Sequence, residues 1–137
     1  MLNGESNRFR MLKHDIISEA DIQLLVDSFY KKVIHDPIIG FIFTDVVQLS
    51  WEKHIPIMYA FWTSILLPPS NYHGNPMSKH FELDKKVQLT QEHFDKWLLV
   101  WEQNVNENFA GSKAAEAITR AKNIAAIMLL KITQQRM

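Results

Sequence analysis

The chain has no cysteine, which excludes a disulfide framework, a thiolate metal site and a cysteine nucleophile. It has no surplus of either charge: fifteen basic residues stand against fifteen acidic ones in 137. A net charge of zero removes the usual electrostatic reason to expect nucleic acid or an anionic membrane as partner. No run approaches the roughly 18 apolar residues of a membrane span, and the first fifteen residues, MLNGESNRFRMLKHD, hold no apolar core of signal-peptide type. HExxH is absent, as are a nucleophile elbow and a glycine-rich phosphate loop. No segment of strand length alternates apolar with polar residues, and no repeat or low-complexity stretch is visible. These absences leave a soluble cytoplasmic protein, with no nucleic-acid or membrane partner, as the expectation.

What is present is helical. A chain of this length, 47% hydrophobic and 22% charged, is expected to form one domain, 1–137, large enough to bury a real core. From Ser18 to His35, the residues Ile22, Leu25, Val26, Phe29 and Val33 recur three and four apart. Ser18 is placed to cap that helix, with Asp21 three residues on, and Pro37 ends it. From Ser50 to Leu67 the stripe is Trp51, Ile55, Met58, Phe61, Trp62, Ile65 and Leu66, stopped by Pro68 and Pro69. Thr90 can cap a third helix that turns Phe94, Trp97, Leu98, Trp101 and Val105 inward. Gly111 breaks the chain, and Ser112 opens a last helix with Ile118, Ala121, Ala125, Met128, Leu129 and Ile132 inward. The fold class is all-α, with four main helices, irregular chain at 38–49 and 68–89, and an irregular N-terminal extension at 1–16. Pro56 is the discordant residue: it lacks an N–H and crowds the carbonyl of Glu52, so the second helix either starts late or kinks near His54.

Several polar groups fall on apolar faces. His54 precedes Met58 by four and Phe61 by seven, Tyr30 lies three before Val33, and Trp97 needs an indole partner if buried. Taken singly, each reads as an ordinary core aromatic or a histidine satisfied by a carbonyl. Together, three helices each turn one hydrogen-bonding group inward. The connection before the third helix adds NYHGNPMSKHF, residues 71–81, with His80 beside Phe81. A connection this long inside a compact domain is usually functional or disordered. A zinc site from His73, His80 and His93 is weakly signalled, since their spacing matches no compact zinc pattern. His14, His35 and His93 read as solvent-facing or helix-end residues. A haem site suits the residues better: it needs an apolar slot between helices, one axial imidazole and an open opposite face.

In order and spacing, SFYKKV (28–33), WEKHIPIMYAFW (51–62), YHGNPMSKHFEL (72–83) and FDKWLLVWEQNV (94–105) resemble the truncated haemoglobins of group III, the P type. The likeness runs from about Ile17 to Ile132, and the absence of the paired-glycine motifs of groups I and II agrees with it. The resemblance implies a two-over-two helical sandwich with a reduced first helix, binding haem b. It implies His80 as the proximal iron ligand, Tyr30 as the distal tyrosine, His54 as the distal-helix histidine and Met58 as the apolar roof. Trp97 corresponds to the tryptophan whose indole reaches the ligand, and Phe43, in competition with Phe41, to the phenylalanine wedged on the porphyrin. Phe81 and Phe94 complete the implied cofactor wall. Lys79 and Lys53 are positional candidates for the propionates. His73 is expected to be a turn residue.

The implied ligands are oxygen, nitric oxide or carbon monoxide. Donors aimed at the partially negative outer atom of such a ligand stabilise it in a dry pocket. Tyr30 and Trp97 are suitable donors, while His54 could donate or act as a gate. A hydrogen bond to a near-charged acceptor is worth about 1.5–3 kcal/mol, so two of them favour sensing, scavenging or redox chemistry over storage. Nitric oxide dioxygenase-like or peroxidase-like turnover, with an unidentified reductase, stands among those expectations. The alternatives are a cofactor-free helical interaction module, in which the tryptophans are plain core, and a non-haem histidine metal site.

Overall fold

Ser18 and Asp21 begin the first helix together. Ser18 Oγ accepts from the Asp21 N–H at 3.2 Å, and the Asp21 carboxylate accepts from the N–H groups of Ser18 (3.2 Å) and Ile17 (3.0 Å). This reciprocal box satisfies donors that a helix start would leave orphaned. The computed structural model describes residues 13–46, 51–67 and 88–136. In these, α1 (Glu19–Val33) is followed by a π-helical segment (Ile42–Val46), α2 (Trp51–Leu66), α3 (Gln91–Asn108) and α4 (Ser112–Arg136), with no strand among the described residues. α1 packs on both α2 and α3, and α3 on α4.

All four expected helices are found, each starting within a residue of its expected start. Thr90 caps α3 as its position suggested, and His93 completes the box by accepting the Thr90 N–H on Nδ1 at 3.2 Å. That fixes His93 in a cap. One expectation is corrected, and of the two alternatives at Pro56 one falls away. The chain at 38–49 is not irregular throughout: Asp36 accepts from the N–H groups of Ile38 and Ile39, and the π-helical turns then deliver Phe43 inward. Gly40 permits this path, since a Cβ there would lie 2.7 Å from the carbonyl oxygen of Ile34. Nor does α2 start late. It runs through Pro56, which is exposed together with Glu52 and Lys53, so the carbonyl that loses its partner faces water rather than the core.

The core forms where the four apolar stripes meet. Ile22, Leu25, Phe29 and Val33 of α1 are buried against Trp62 and Leu66 of α2 and Trp101 and Val105 of α3. On α4, buried Ala114, Ala117, Ala121 and Ala125 leave room for the large rings opposite. Trp101 fills that room, and its Nε1–H donates to the Ala117 carbonyl at 3.1 Å. Asn104 is fully buried, a polar residue within an apolar face. Its Nδ2 donates to the Leu25 carbonyl (2.9 Å) and its Oδ1 accepts from Lys32 Nζ (2.8 Å), so it bonds α3 to α1.

The extension expected to be irregular at 1–16 has no regular structure where it is described, at 13–16. Residues 13–17 carry no helix, yet Ile16 is fully buried. Asp15 accepts from the N–H groups of Lys113 (2.9 Å) and Ala114 (2.8 Å), capping α4 from the far end of the sequence. Gly111 allows this approach: its φ is +143°, and a Cβ would lie 2.5 Å from the Asp15 carboxyl carbon. Burial alone would raise the Asp15 pKa, but the bonds from Lys113, Ala114, Ile16 and Ser112 outweigh it and hold the carboxyl below its ordinary 3.8. A carboxylate with a lowered folded pKa stabilises fully above the ordinary value and loses that contribution as pH falls through the lowered one. Asp15→Ala should therefore cost about 1–2 kcal/mol near neutral pH, the usual worth of a cap. The gap from the parent, followed by thermal melts, should persist down to about pH 5 and close in stronger acid.

Candidate functional site

α1 places Tyr30 one residue beyond the core ring of Phe29, and the first turns of α2 place His54 opposite it. Tyr30 Oη and His54 Nε2 lie 2.9 Å apart, with the rings nearly perpendicular and their centroids 5.5 Å apart. Burial pushes the Tyr30 phenol well above its usual range, so it keeps its proton and is a donor. Assigning the phenol as donor puts the imidazole proton on Nδ1.

Aromatic rings extend the site from this pair. Phe43 packs edge-on against Tyr30 with centroids 6.0 Å apart. Phe41 is instead 41% exposed and packs on His93, so Phe43 is the one that reaches the site. Phe29 packs edge-on against both Tyr30 (5.2 Å) and Trp97 (5.9 Å). Trp97 stacks nearly parallel on Trp101 at 6.1 Å, which stacks on Trp62 at 4.4 Å. The two indoles of α3 differ in one respect. Trp101 spends its N–H on a backbone carbonyl, whereas Trp97 Nε1 makes no hydrogen bond to any described residue.

The sequence-predicted residues thus separate into groups. Tyr30, His54 and Phe43 are brought together, Met58 is one turn along α2 from His54, and Trp97 joins through Phe29. Phe94 is buried on the α4 side of α3, at a cavity of about 390 Å³ that it lines with Leu98, Ala125 and Leu129. Lys53 is exposed. His73, Lys79, His80 and Phe81 lie outside the described residues. Among the described residues no three His, Cys, Asp or Glu side chains gather to hold a metal ion.

Asp27 and Tyr59 were not anticipated. Tyr59 Oη donates to Asp27 Oδ1 across the α1–α2 interface. A spacing signal existed, because Asp27 is one turn before Tyr30 and Tyr59 five residues after His54.

The chemistry of the lining fits a flat apolar group carrying a polar ligand. Phe43, Met58 and Trp97 are only partly buried, each with apolar surface left over, and the described polar groups beside them include one phenol and one imidazole.

Comparison with known proteins adds a family to this geometry. The bacterial-like globin family matches residues 14–130 of the chain. A group 3 truncated hemoglobin of Campylobacter jejuni is 31% identical over 117 residues, covering 83% of this chain and 90% of that protein. The crystal structure of a group III truncated hemoglobin from Campylobacter jejuni aligns with a TM-score of 0.75 at 28% identity. That alignment covers 88% of this chain and 94% of the other.

Proposed function

Because the chain belongs to the bacterial-like globins, as a group III truncated haemoglobin, we propose that it binds haem b and small diatomic ligands reversibly. Haem, when bound, would supply an iron that takes oxygen, nitric oxide or carbon monoxide. His80 is the residue proposed to hold that iron, with Phe81 beside it in sequence. Phe43, His54, Met58, Phe94 and Trp97 are assigned to the haem wall, and Tyr30, His54 and Trp97 to the ligand.

The observation that carries this reading is the 2.9 Å contact of Tyr30 Oη with His54 Nε2 inside an aromatic wall. A desolvated phenol that holds its proton is a strong hydrogen-bond donor where water is excluded. Turned toward the ligand, it opposes release. The indole of Trp97, uncommitted among the described residues, supplies a second donor from another helix. His54, once its Nε2 is relieved of the phenol, can accept or pass a proton.

Two donors hold a ligand longer than diffusion-driven delivery requires, so the role is sensing, scavenging or redox chemistry. A nitric oxide dioxygenase-like or peroxidase-like turnover would draw on the same donors and on a reductase. The absorption spectrum of the purified protein, before and after addition of haemin, tests the reading. A Soret band that shifts with carbon monoxide is expected; a colourless protein that takes up no haemin would favour a cofactor-free interaction module.

A further inference from the structure

Among the described residues, two side-chain hydrogen bonds cross from α1 to α2. One joins Tyr30 to His54, and the other joins Asp27 to Tyr59. Their partners are three residues apart on α1 and five apart on α2, so the second bond lies about one turn farther along the same interface. Pro56 sits between His54 and Tyr59. It has no N–H to return to the Glu52 carbonyl, so the turn that carries His54 is tied less firmly to the rest of α2 than any later turn. Tyr59 is the first residue past the proline that bonds α1 directly.

We infer that Tyr59, held by Asp27, is a positioning residue that sets where α2 rests on α1 and hence the separation of Tyr30 and His54. The inference rests on the reading that this pair faces the ligand. The bond is built to persist. Burial, the hydrogen bond to Asp27 and its charge together push the Tyr59 phenol up to about 12, so Tyr59 remains a donor throughout the neutral range. A carboxylate acceptor makes the bond charge-assisted and directional. Both residues are half-buried at the seam, beside but outside the phenol–imidazole contact. With the clamp intact, motion in this part of α2 is confined to the turn before Pro56. Without it, the whole helix start can shift, and the distal donor moves with it.

The test compares Tyr59→Phe, Asp27→Ala and Asp27→Asn with the parent, and uses Asp15→Ala as a destabilised control remote from the seam. The imidazole nitrogen resonances of His54 are followed by NMR in the protein as purified and after haemin addition, alongside the carbon monoxide stretching frequency and the oxygen dissociation rate. Tyr59→Phe and Asp27→Ala should shift or broaden the Nε2 resonance, move the stretching frequency and alter oxygen dissociation by about threefold to thirtyfold, as expected for a network neighbour. Asp27→Asn keeps an acceptor oxygen and should lie near the parent. Asp15→Ala should lower the melting temperature and leave all three readouts in place. An unchanged Nε2 resonance in Tyr59→Phe would overturn the inference, as would Asp15→Ala moving it equally. If no haem binds, the functional reading fails, while the His54 resonance still decides the clamp.

Discussion

Replacing His80 with glycine is expected to abolish the ferrous spectrum of a haem held by a single imidazole, and to weaken haemin retention severely. Outer partners of a metal ligand already account for about 10–100-fold of affinity, so removal of the ligand itself should exceed that range. The assignment follows from family membership and from the order of motifs, since MSKHF stands between the α2 and α3 segments. Glycine leaves space that free imidazole can fill, so imidazole added to the variant should partly restore the spectrum. His73→Gly is the control, because His73 is expected to be a turn residue with no role at the iron. A His80→Gly protein with the parent spectrum would sink the assignment and direct attention to His73.

The second large effect concerns Tyr30 and Trp97 together. Both pack edge-on against the Phe29 ring, at 5.2 and 5.9 Å, and are proposed to donate to one ligand. Groups that share a network do not contribute additively. Tyr30→Phe should release oxygen about tenfold faster, the low end for a hydrogen bond to a near-charged acceptor. It also removes the hydroxyl that meets His54 Nε2, which leaves the imidazole to reorganise. Trp97→Phe should change the rate by about the same factor, in a direction that depends on whether Tyr30 turns further toward the ligand. The double variant should exceed both single variants and oxidise readily to the ferric state. Stopped-flow measurement of oxygen release from all three decides the matter. Parent rates throughout would make the distal donors structural and end the proposed mechanism, even with haem bound.

The helices and their caps were legible in sequence because they obey local rules. Ser18 and Asp21 lie three residues apart, so cap and partner are visible in one glance along the chain; Thr90 was legible as a cap, whereas His93 as its partner was not. The apolar stripes were legible for the same reason; resemblance added separate distal roles for Tyr30 and His54, while their contact with each other emerged only from the packing of α1 on α2. Asn104 was not legible. Its bonds to Leu25 and Lys32 span 79 and 72 residues, and nothing near it in sequence signals that an amide belongs in the core. Pro56 was legible as an anomaly without its resolution, since only the packing reveals that its lost hydrogen bond faces water. The π-helical segment escaped because no local residue pattern distinguishes it from irregular chain.

The Asp15 cap has a kinetic consequence. Its bond to Lys113 spans 98 residues, so forming it means closing most of the chain into one loop, at an entropic cost of about 4 kcal/mol if nothing between were yet ordered. A contact of that sequence separation cannot form early. The intervening helices must collapse first and shorten the effective loop, after which residues 13–16 dock and the last helix gains its cap. By the same logic in reverse, this latch should open early when the protein breathes, and the amide protons of Lys113 and Ala114 should exchange with solvent ahead of those at the centres of α1 and α3.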